Sequence, residues 1–275
     1  MSKIIAVCNQ KGGTGKTTTA VNLSAILALF GKKVLLVDMD PQGNATSGIG
    51  VSKNEIEKSV YEVLLDKMRV QDVIKKTNIP NLEILPCNIN LTGAEIELVG
   101  VFSRENRLKR ALFEIKDIFE YIIIDSPPTL GLLTVNALVA SDSILIPIQC
   151  EFYALEGVSQ LLNTLKLIKE GLNENLSVEG VLMTMADFRT NLTTEVISEI
   201  KNFFKDKVYK TIIPRNIKLS EAPSFGKPVI LYDKNSLGAK KYEEFVLEFL
   251  NSDVDLNNYM KNIELCNNIS ETNGG

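Results

Sequence analysis

The stretch "NQKGGTGKTTTAVNL", residues 9–23, decides the fold of this 275-residue chain. Gly15, Lys16 and Thr17 complete the phosphate-binding pattern G-x-x-x-x-G-K-[ST], but Gln10 stands where that pattern begins with glycine. Lys11 follows directly and is a second lysine that the pattern does not require. An apolar run precedes the stretch and a helical pattern follows it, which is the strand–loop–helix context of a phosphate-binding loop.

The residue types within this loop suit a nucleotide with magnesium. Gly12, Gly13 and Gly15 allow the backbone to approach a phosphate, and the N-terminus of the following helix adds partial positive charge. Lys16 is predicted to neutralise the β- and γ-phosphates, and the Thr17 hydroxyl is predicted to ligate Mg²⁺. A glycine-rich turn that merely opens a helix is the simpler alternative, but the spacing and the Lys-Thr pair disfavour it.

Two further segments place carboxylates at strand ends. In "YIIIDSPP", residues 121–128, Asp125 ends an apolar strand and can reach a Mg²⁺-bound water. In "VLLVDMDPQGN", residues 34–44, Asp38 and Asp40 flank Met39 at the end of an apolar strand. One carboxylate is then predicted to face the nucleotide while the other holds a loop. Asp-Pro and Gly-Asn also favour a turn here, which is compatible with both roles.

Short apolar runs alternate with longer helical patterns along the chain. Continuous apolar strands are typical of a parallel sheet covered on both faces. We therefore predict a single α/β domain over residues 1–250, with a mainly parallel twisted sheet flanked by helices, and an acidic, polar and flexible tail over residues 251–275. The predicted strands are residues 3–9, 33–38, 82–85, 121–125, 143–148, 180–184 and 208–213, and the clearest helices are residues 17–30, 104–119, 153–171 and 192–204.

The composition is that of an ordinary globular protein, with 45% hydrophobic and 23% charged residues. No secretory signal and no apolar run long enough to cross a bilayer is expected. Histidine is absent, which excludes histidine-based catalysis and disfavours a dedicated zinc site. The four scattered cysteines are typical of reduced thiols in a cytoplasmic protein.

Charge is distributed unevenly along the chain. The net charge is −4, yet residues 180–230 hold eight Lys/Arg against five Asp/Glu, a balance of +3. Residues 242–275 hold one lysine against seven acids, a balance of −6. The acidity of the C-terminal segment therefore conceals a basic region that can bind an anionic partner.

Five segments together resemble the ParA/Soj group of chromosome- and plasmid-partitioning ATPases, which carry the deviant Walker A motif K-G-G-x-G-K-T. The resemblance covers residues 3–249. It implies an ATP-dependent homodimer that binds double-stranded DNA without sequence preference, hydrolyses ATP slowly and is stimulated by the basic N-terminal peptide of a ParB-type centromere-binding protein. It also implies a cytoplasmic, nucleoid-associated protein. The segments are "KGGTGKTT", "VDMDPQGNATSGIG", "IIIDSPPTLGLLTVNAL", "PIQCEFYALEGVSQL" and "IPRNIKLSEAPSFGKPVILYD".

The resemblance assigns the extra lysine a role. Lys11 is expected to reach across the dimer to the nucleotide of the other subunit, where it offsets the charge of two ATP molecules buried face to face. A solvated surface charge is the alternative. Asp40 is expected to orient or activate the attacking water, and Asp125 to hold Mg²⁺ through water.

The resemblance also extends the nucleotide site beyond the phosphates. Thr14 belongs to the loop, and Thr18 is expected to contact the α-phosphate. Glu151 is expected to seat Lys11 or the ribose at the interface. Pro214 and Asn216 are expected to frame the adenine base.

DNA binding is expected on basic side chains of residues 180–230. Contacts from lysine and arginine to phosphates give affinity without base discrimination, so this binding should weaken steeply with salt. A solvated charged helix face is the ordinary alternative for each single lysine. The candidates are Arg189, Lys201, Lys205, Lys218 and Lys227.

Three other functions use related folds. A MinD-type membrane switch needs a basic amphipathic C-terminal helix, whereas this C-terminus is acidic, with Lys261 its only base. A metabolic kinase or ligase needs substrate groups near the γ-phosphate, and none stands out. An iron–sulfur reductase needs cysteines of both subunits at the dimer axis, and these four show no such arrangement.

Overall fold

A computed structural model of the chain describes residues 2–151, 154–251 and 255–272, without the side chains of 154–157 and 267–272. The described residues contain one sheet of eight strands. The start of the helix predicted at Tyr153 lies outside the described residues. The strands are β1 (Lys3–Val7), β2 (Val34–Asp38), β3 (Lys75–Lys76), β4 (Leu82–Leu85), β5 (Tyr121–Asp125), β6 (Ser143–Gln149), β7 (Ser177–Ala186) and β8 (Val208–Pro214).

The strand order β3-β4-β2-β5-β1-β6-β7-β8 places β1 in the middle of the sheet. All neighbours are parallel except β3 and β4, which are antiparallel. In this register Asp125 lies opposite Val7 on one side and opposite Asp38 on the other. The carboxyl ends of β1, β2 and β5 therefore meet at one edge, where ligands bind in open α/β sheets.

Helices cover both faces of the sheet, as the continuously apolar strands predict. Helix α1 follows β1 and is buried along nearly its whole length, because the sheet, α11 and α12 surround it. The helices are α1 (Lys16–Leu29), α2 (Asn44–Gly48), α3 (Val60–Leu64), α4 (Leu91–Glu97), α5 (Arg107–Phe113), α6 (Leu132–Ala140), α7 (Ala154–Gly171), α8 (Asn191–Phe204), α9 (Ile217–Glu221), α10 (Val229–Tyr232), α11 (Leu237–Leu250) and α12 (Leu256–Thr272).

The predicted α/β architecture is confirmed, and all seven predicted strands are present with ends that differ by a few residues. The helix predicted over residues 104–119 is shorter, since α5 ends at Phe113 and a 3₁₀ turn precedes it. The sequence did not indicate β3, whose two residues are both exposed lysines and carry no apolar pattern. No described helix is long and apolar enough to cross a membrane.

The C-terminal segment differs from the predicted flexible tail. Residues 256–272 form α12, and Tyr259, Ile263 and Cys266 are buried against the core. The Tyr259 ring stacks on Phe30 with ring centroids 4.2 Å apart. The Asn262 amide donates a 2.9 Å hydrogen bond to the Leu29 carbonyl. The spacing i, i+4, i+7 gives the helix one apolar side, which an acidic and asparagine-rich composition concealed.

Replacement of Tyr259 by alanine is expected to lower the free energy of unfolding by about 3–4 kcal/mol, because it removes a buried ring and leaves a cavity. Urea denaturation measures this change. Met260→Ala is the matched control, since Met260 is a neighbour in the same helix with 48% of its surface exposed, and it should cost under about 0.5 kcal/mol. Equal stability of wild type and Tyr259→Ala would mean that α12 is not docked on the core.

Candidate functional site

The glycine-rich loop crosses from β1 to α1 in a conformation that only some of its residues can adopt. Gly13 and Gly15 have φ angles of 73° and 85°, in the left-handed region that disfavours side chains. The Thr184 hydroxyl, on β7, donates a 2.9 Å hydrogen bond to the Thr14 carbonyl. The loop is therefore fixed from outside by the sheet, while its glycines permit the tight turn.

Lys16 is the first residue of α1 and is buried at the floor of the loop. Its ammonium donates a 3.0 Å hydrogen bond to the Lys11 carbonyl. Burial lowers the pKa of Lys16, and the negative charge of Asp125 is the largest effect that opposes this shift. A phosphate group would supply the missing counter-charge, because it would lie at the positive end of α1 beside this ammonium.

Lys11 is oriented differently from Lys16. Its ammonium lies 3.2 Å from Glu151 Oε2, and its side chain is 35% exposed. Arg215 approaches the same carboxylate at 3.9 Å, and the Gln149 amide donates to it as well. The structure thus places Lys11 and Glu151 together at the rim of the loop.

Asp38 and Asp125 are adjacent, fully buried carboxylates. Burial raises the pKa of Asp38 to about 6, and hydrogen bonds from Thr46 oppose the shift. Burial, followed by the charge of Asp38, raises the pKa of Asp125 well above its usual range. Among the described residues, neither Asp125 oxygen has a hydrogen-bond partner of normal geometry. The nearby Thr17 hydroxyl nevertheless opposes the rise in the pKa of Asp125. A divalent cation would relieve this concentration of negative charge.

A cavity of about 270 Å³ opens over the loop. Its lining agrees with the predicted phosphate and magnesium site. Asp40 is 8% exposed, and its Oδ1 accepts a 2.9 Å hydrogen bond from the Gln42 amide. The lining residues are Gly12, Gly13, Gly15, Lys16, Thr17, Thr18, Asp40, Asn44, Pro128 and Met185.

Two further cavities meet this one at Thr18. The first, of about 300 Å³, contains Pro214 and Asn216, the residues expected to frame a base. The Asn216 side chain accepts a 3.0 Å hydrogen bond from the Lys218 amide and so caps α9. The second, of about 370 Å³, runs between α1 and α2 and has Lys227 at its margin. The phosphate cavity and the base cavity together offer room for a whole nucleotide.

The five basic residues expected to bind DNA do not form one surface. Arg189 follows β7 and therefore lies at the carboxyl edge of the sheet, as do Lys218 and Lys227 after β8. Lys201 lies in the last turn of α8, and Lys205 follows that turn just before β8 begins. Since α8 has 14 residues, these two lysines lie about 20 Å from Arg189, at the opposite edge.

Two of these basic residues are also paired within the chain. The Arg189 guanidinium donates to both oxygens of Asp187, at 2.7 and 2.6 Å, although its side chain is 87% exposed. Lys218 lies 2.9 Å from Glu221. An acidic neighbour within three residues therefore partly neutralises the positive charge of each of these two side chains.

Several residues of the site were not singled out from the sequence. Asn44 lines the phosphate cavity and stands in the quoted segment "VDMDPQGNATSGIG", so proximity to Asp40 was an available signal. Arg215 stands between Pro214 and Asn216 in "IPRN" and was likewise available. Thr46 and Thr184 carry no local signal, because their partners are distant in sequence or on another strand.

Comparison with known proteins agrees with this site. Residues 2–178 match the AAA domain family. The chain is 62% identical over 248 residues to the sporulation initiation inhibitor protein Soj of Bacillus subtilis, covering 90% of this chain and 98% of that protein. It is 51% identical over 253 residues to the chromosome partitioning protein ParA of Myxococcus xanthus, covering 92% and 89% respectively.

A solved structure shows the same architecture with ligands. Cobyrinic acid a,c-diamide synthase from Mycobacterium smegmatis, with bound ADP and magnesium, superposes with a TM-score of 0.78 at 37% identity, over 90% of this chain and 93% of that one. Fold and loop define a P-loop ATPase of the deviant Walker A class. Within that class, the chain belongs to the ParA/Soj family of chromosome-partitioning ATPases. The ligands of the solved structure agree with the predicted cofactors, ATP and Mg²⁺.

The electrostatics of Asp125 predict a pH-dependent effect of Asp125→Asn. The folded protein holds this proton more tightly than the unfolded chain, so ionisation opposes folding progressively above the ordinary pKa of 3.8. Without nucleotide or Mg²⁺, the unfolding free energy of the variant relative to wild type should therefore rise progressively as the pH is raised from 4 to 8. Urea denaturation across this range measures the difference.

Asp187→Asn serves as the control for this titration. Hydrogen bonds from Arg189 lower the pKa of Asp187 to about 2. Both its folded and its unfolded states are therefore ionised above pH 5, and its difference from wild type should stay constant up to pH 8. A pH-independent difference for Asp125→Asn would contradict the prediction.

Proposed function

We propose that this protein is an ATP-dependent dimerising switch, which binds DNA without sequence preference and hydrolyses ATP to drive chromosome or plasmid partitioning. The family and the nucleotide cavity support the ATPase activity. In this proposal a ParB-type centromere-binding protein stimulates hydrolysis, and the protein acts in the cytoplasm on the nucleoid. The relatives named Soj and ParA support partitioning over other uses of the fold.

The proposal that the protein dimerises rests on the position of Lys11. Its ammonium lies outside the cavity that holds Lys16 and pairs instead with Glu151 at the rim. A lysine in this position can contact a nucleotide presented by a facing subunit. Two triphosphates buried face to face need such added positive charge, because burying like charges together is unfavourable.

Hydrolysis is assigned to residues around the phosphate cavity. Lys16 and Thr17 would hold the phosphates and Mg²⁺, with Asp125 holding the ion through water, and the ion supplies charge neutralisation at the γ-phosphate. Asp40 lines this cavity and has a second carboxylate oxygen with no hydrogen-bond partner among the described residues. That oxygen is available to orient a water molecule for attack.

DNA binding is assigned to the carboxyl-edge residues Arg189 and Lys218. They lie at the edge of the sheet that carries the nucleotide site, so dimerisation would bring two copies of this surface together. Doubling the number of phosphate contacts makes binding depend on the ATP-bound dimer. Lys201 and Lys205 lie at the opposite edge of the sheet and are not included in this surface.

The alternative functions receive less support. A membrane switch needs a C-terminal helix with a free apolar side, whereas Tyr259, Ile263 and Cys266 of α12 are buried against the core. An iron–sulfur site between subunits needs accessible cysteines, whereas all four cysteines are buried. A biosynthetic activity like that of the cobyrinic acid a,c-diamide synthase is supported less well, because this chain is 37% identical to that enzyme but 62% identical to the Soj protein.

Lys11→Ala is expected to abolish ATP-dependent dimerisation while leaving the affinity of the monomer for ATP within about threefold, since Lys11 lies outside its own phosphate cavity. Sedimentation velocity with ATP and Mg²⁺, in an Asp40→Ala background that retains ATP, measures the dimer fraction. Lys32→Ala is the matched control, because Lys32 is an exposed lysine paired with Glu120 away from the loop. Unchanged dimerisation of Lys11→Ala would refute the role of this lysine.

Arg189→Glu is expected to weaken ATP-dependent binding to random-sequence DNA by at least about tenfold. Each dimer loses two phosphate contacts, so the slope of log K against log salt should fall by roughly 2. Gel shift at several salt concentrations, with ATP, ADP and no nucleotide, measures both quantities. Asp40→Ala should retain the binding, because it retains ATP.

Two further variants locate the DNA surface. Asp187→Asn frees the Arg189 guanidinium from its partner and should tighten binding, because Arg189 then carries an uncompensated charge. Lys201→Glu makes the same charge change as Arg189→Glu at the opposite edge and should leave the affinity within about twofold. A loss confined to Lys201→Glu would place the DNA on the other edge of the sheet.

A further inference from the structure

A buried threonine closes the turn that carries Asp40. Thr46 lies in α2 and is completely buried. Its hydroxyl donates a 2.7 Å hydrogen bond to Asp38 Oδ2, and its amide donates to the same oxygen at 2.8 Å. The Thr46 hydroxyl also accepts a 3.0 Å hydrogen bond from the Cys87 amide, in the segment after β4. Thr46 therefore links the ends of two neighbouring strands.

Asp38 holds both ends of the turn over residues 40–46. While Oδ2 accepts from Thr46, Oδ1 accepts a 3.2 Å hydrogen bond from the Asp40 amide. Within the turn, the Asp40 carbonyl accepts from the Gly43 amide at 2.9 Å. The prediction that one of the two aspartates ties down a loop is thus matched by the geometry of Asp38. Without Thr46, Asp38 would hold only the beginning of that turn.

We propose that Thr46 is a positioning residue for ATP hydrolysis. The turn it closes determines where the Asp40 carboxylate and Asn44 lie over the phosphate cavity. The hydroxyl is required in both directions, as donor to Asp38 and as acceptor from Cys87, and only serine offers the same pair of functions in a smaller side chain. Thr46 itself does not line the cavity and acts through Asp38 and Asp40.

This inference rests on the proposed ATP hydrolysis and refines its mechanism. Loss of the hydroxyl would let Asp40 shift, and a displacement of about 1 Å at a reacting group can cost a hundredfold in rate. The phosphate-binding loop is separately fixed by Thr184, so nucleotide binding should be retained. A selective loss of kcat therefore distinguishes positioning from general disruption of the site.

The test measures ATP turnover and ATP affinity in Thr46→Val, Thr46→Cys and Thr46→Ser. We expect kcat to fall about ten- to hundredfold in Thr46→Val, less in Thr46→Cys with its weak thiol donor, and under about threefold in Thr46→Ser. ATP affinity should stay within about threefold in all three. The milder cysteine and serine variants keep the series informative if Thr46→Val folds poorly.

Two comparisons separate positioning from destabilisation. Thr193→Val removes a hydroxyl that is also buried and hydrogen-bonded, to Thr190 at 3.0 Å, in a residue that lines none of the three cavities around the loop, and should leave kcat unchanged. Thr46→Val should add no loss to that of Asp40→Ala in the double variant, because Thr46 acts through Asp40.

The outcomes separate this inference from the proposed function. An active wild type with normal kcat in Thr46→Val, or with additive losses in the double variant, would overturn the role of Thr46 and leave the proposed function standing. A wild type without any ATPase activity, alone or with DNA, would overturn both.

Discussion

Two neighbouring buried carboxylates are the constraint on which the rest of this site depends. The parallel register of β2 and β5 places Asp38 beside Asp125, and both side chains are fully buried. Neighbouring buried charges of like sign raise each other's pKa and oppose folding. Asp38 is satisfied by three hydrogen bonds from the turn that follows it, whereas Asp125 is left without a partner of normal geometry among the described residues. This asymmetry agrees with the proposed roles, in which Asp125 holds Mg²⁺ through water and Asp38 holds the loop.

A chain of contacts leads from Asp125 through the phosphate-binding loop to the rim of the loop, where Lys11 meets Glu151. Lys16 is a buried cation, and the negative charge of Asp125 is the largest effect that raises its pKa against the effect of burial. The Lys16 ammonium also donates a hydrogen bond to the Lys11 carbonyl. The Lys11 side chain in turn pairs with Glu151. A phosphate that accepted hydrogen bonds from the Lys16 ammonium would compete with the Lys11 carbonyl for that donor. Lys11, which is proposed to reach a second subunit, is therefore hydrogen-bonded through its carbonyl to Lys16, which is proposed to neutralise the phosphates.

The sequence predicted the features that short consecutive segments determine. It did not predict features that depend on the direction of a helix or on contacts between distant residues. The loop, Asp125 and the seven longer strands are consecutive patterns, and all of them lie where they were predicted. The basic residues of 180–230 were counted together, but the direction of α8 separates Lys201 from Arg189 by the full length of the helix. Thr46 could not be singled out from the sequence because its proposed role depends on Asp38, eight positions earlier, and on Cys87, in the segment after β4. The narrow apolar stripe of α12 was hidden by its polar composition.

Helix α1 is anchored to the rest of the fold by side-chain hydrogen bonds near both of its ends. At its C-terminal end the Ala28 and Leu29 carbonyls accept hydrogen bonds from Asn81 and Asn262, at 3.3 and 2.9 Å. In its N-terminal half Thr19 bonds Tyr242 at 3.1 Å, and the Asn22 side chain accepts from the Val229 amide at 2.8 Å.

This anchored helix is the support on which the site is built. The site itself consists of two short loops, the glycine-rich loop before α1 and the turn after β2. The first is proposed to bind the phosphates, and the second places the Asp40 carboxylate that is proposed to act in hydrolysis.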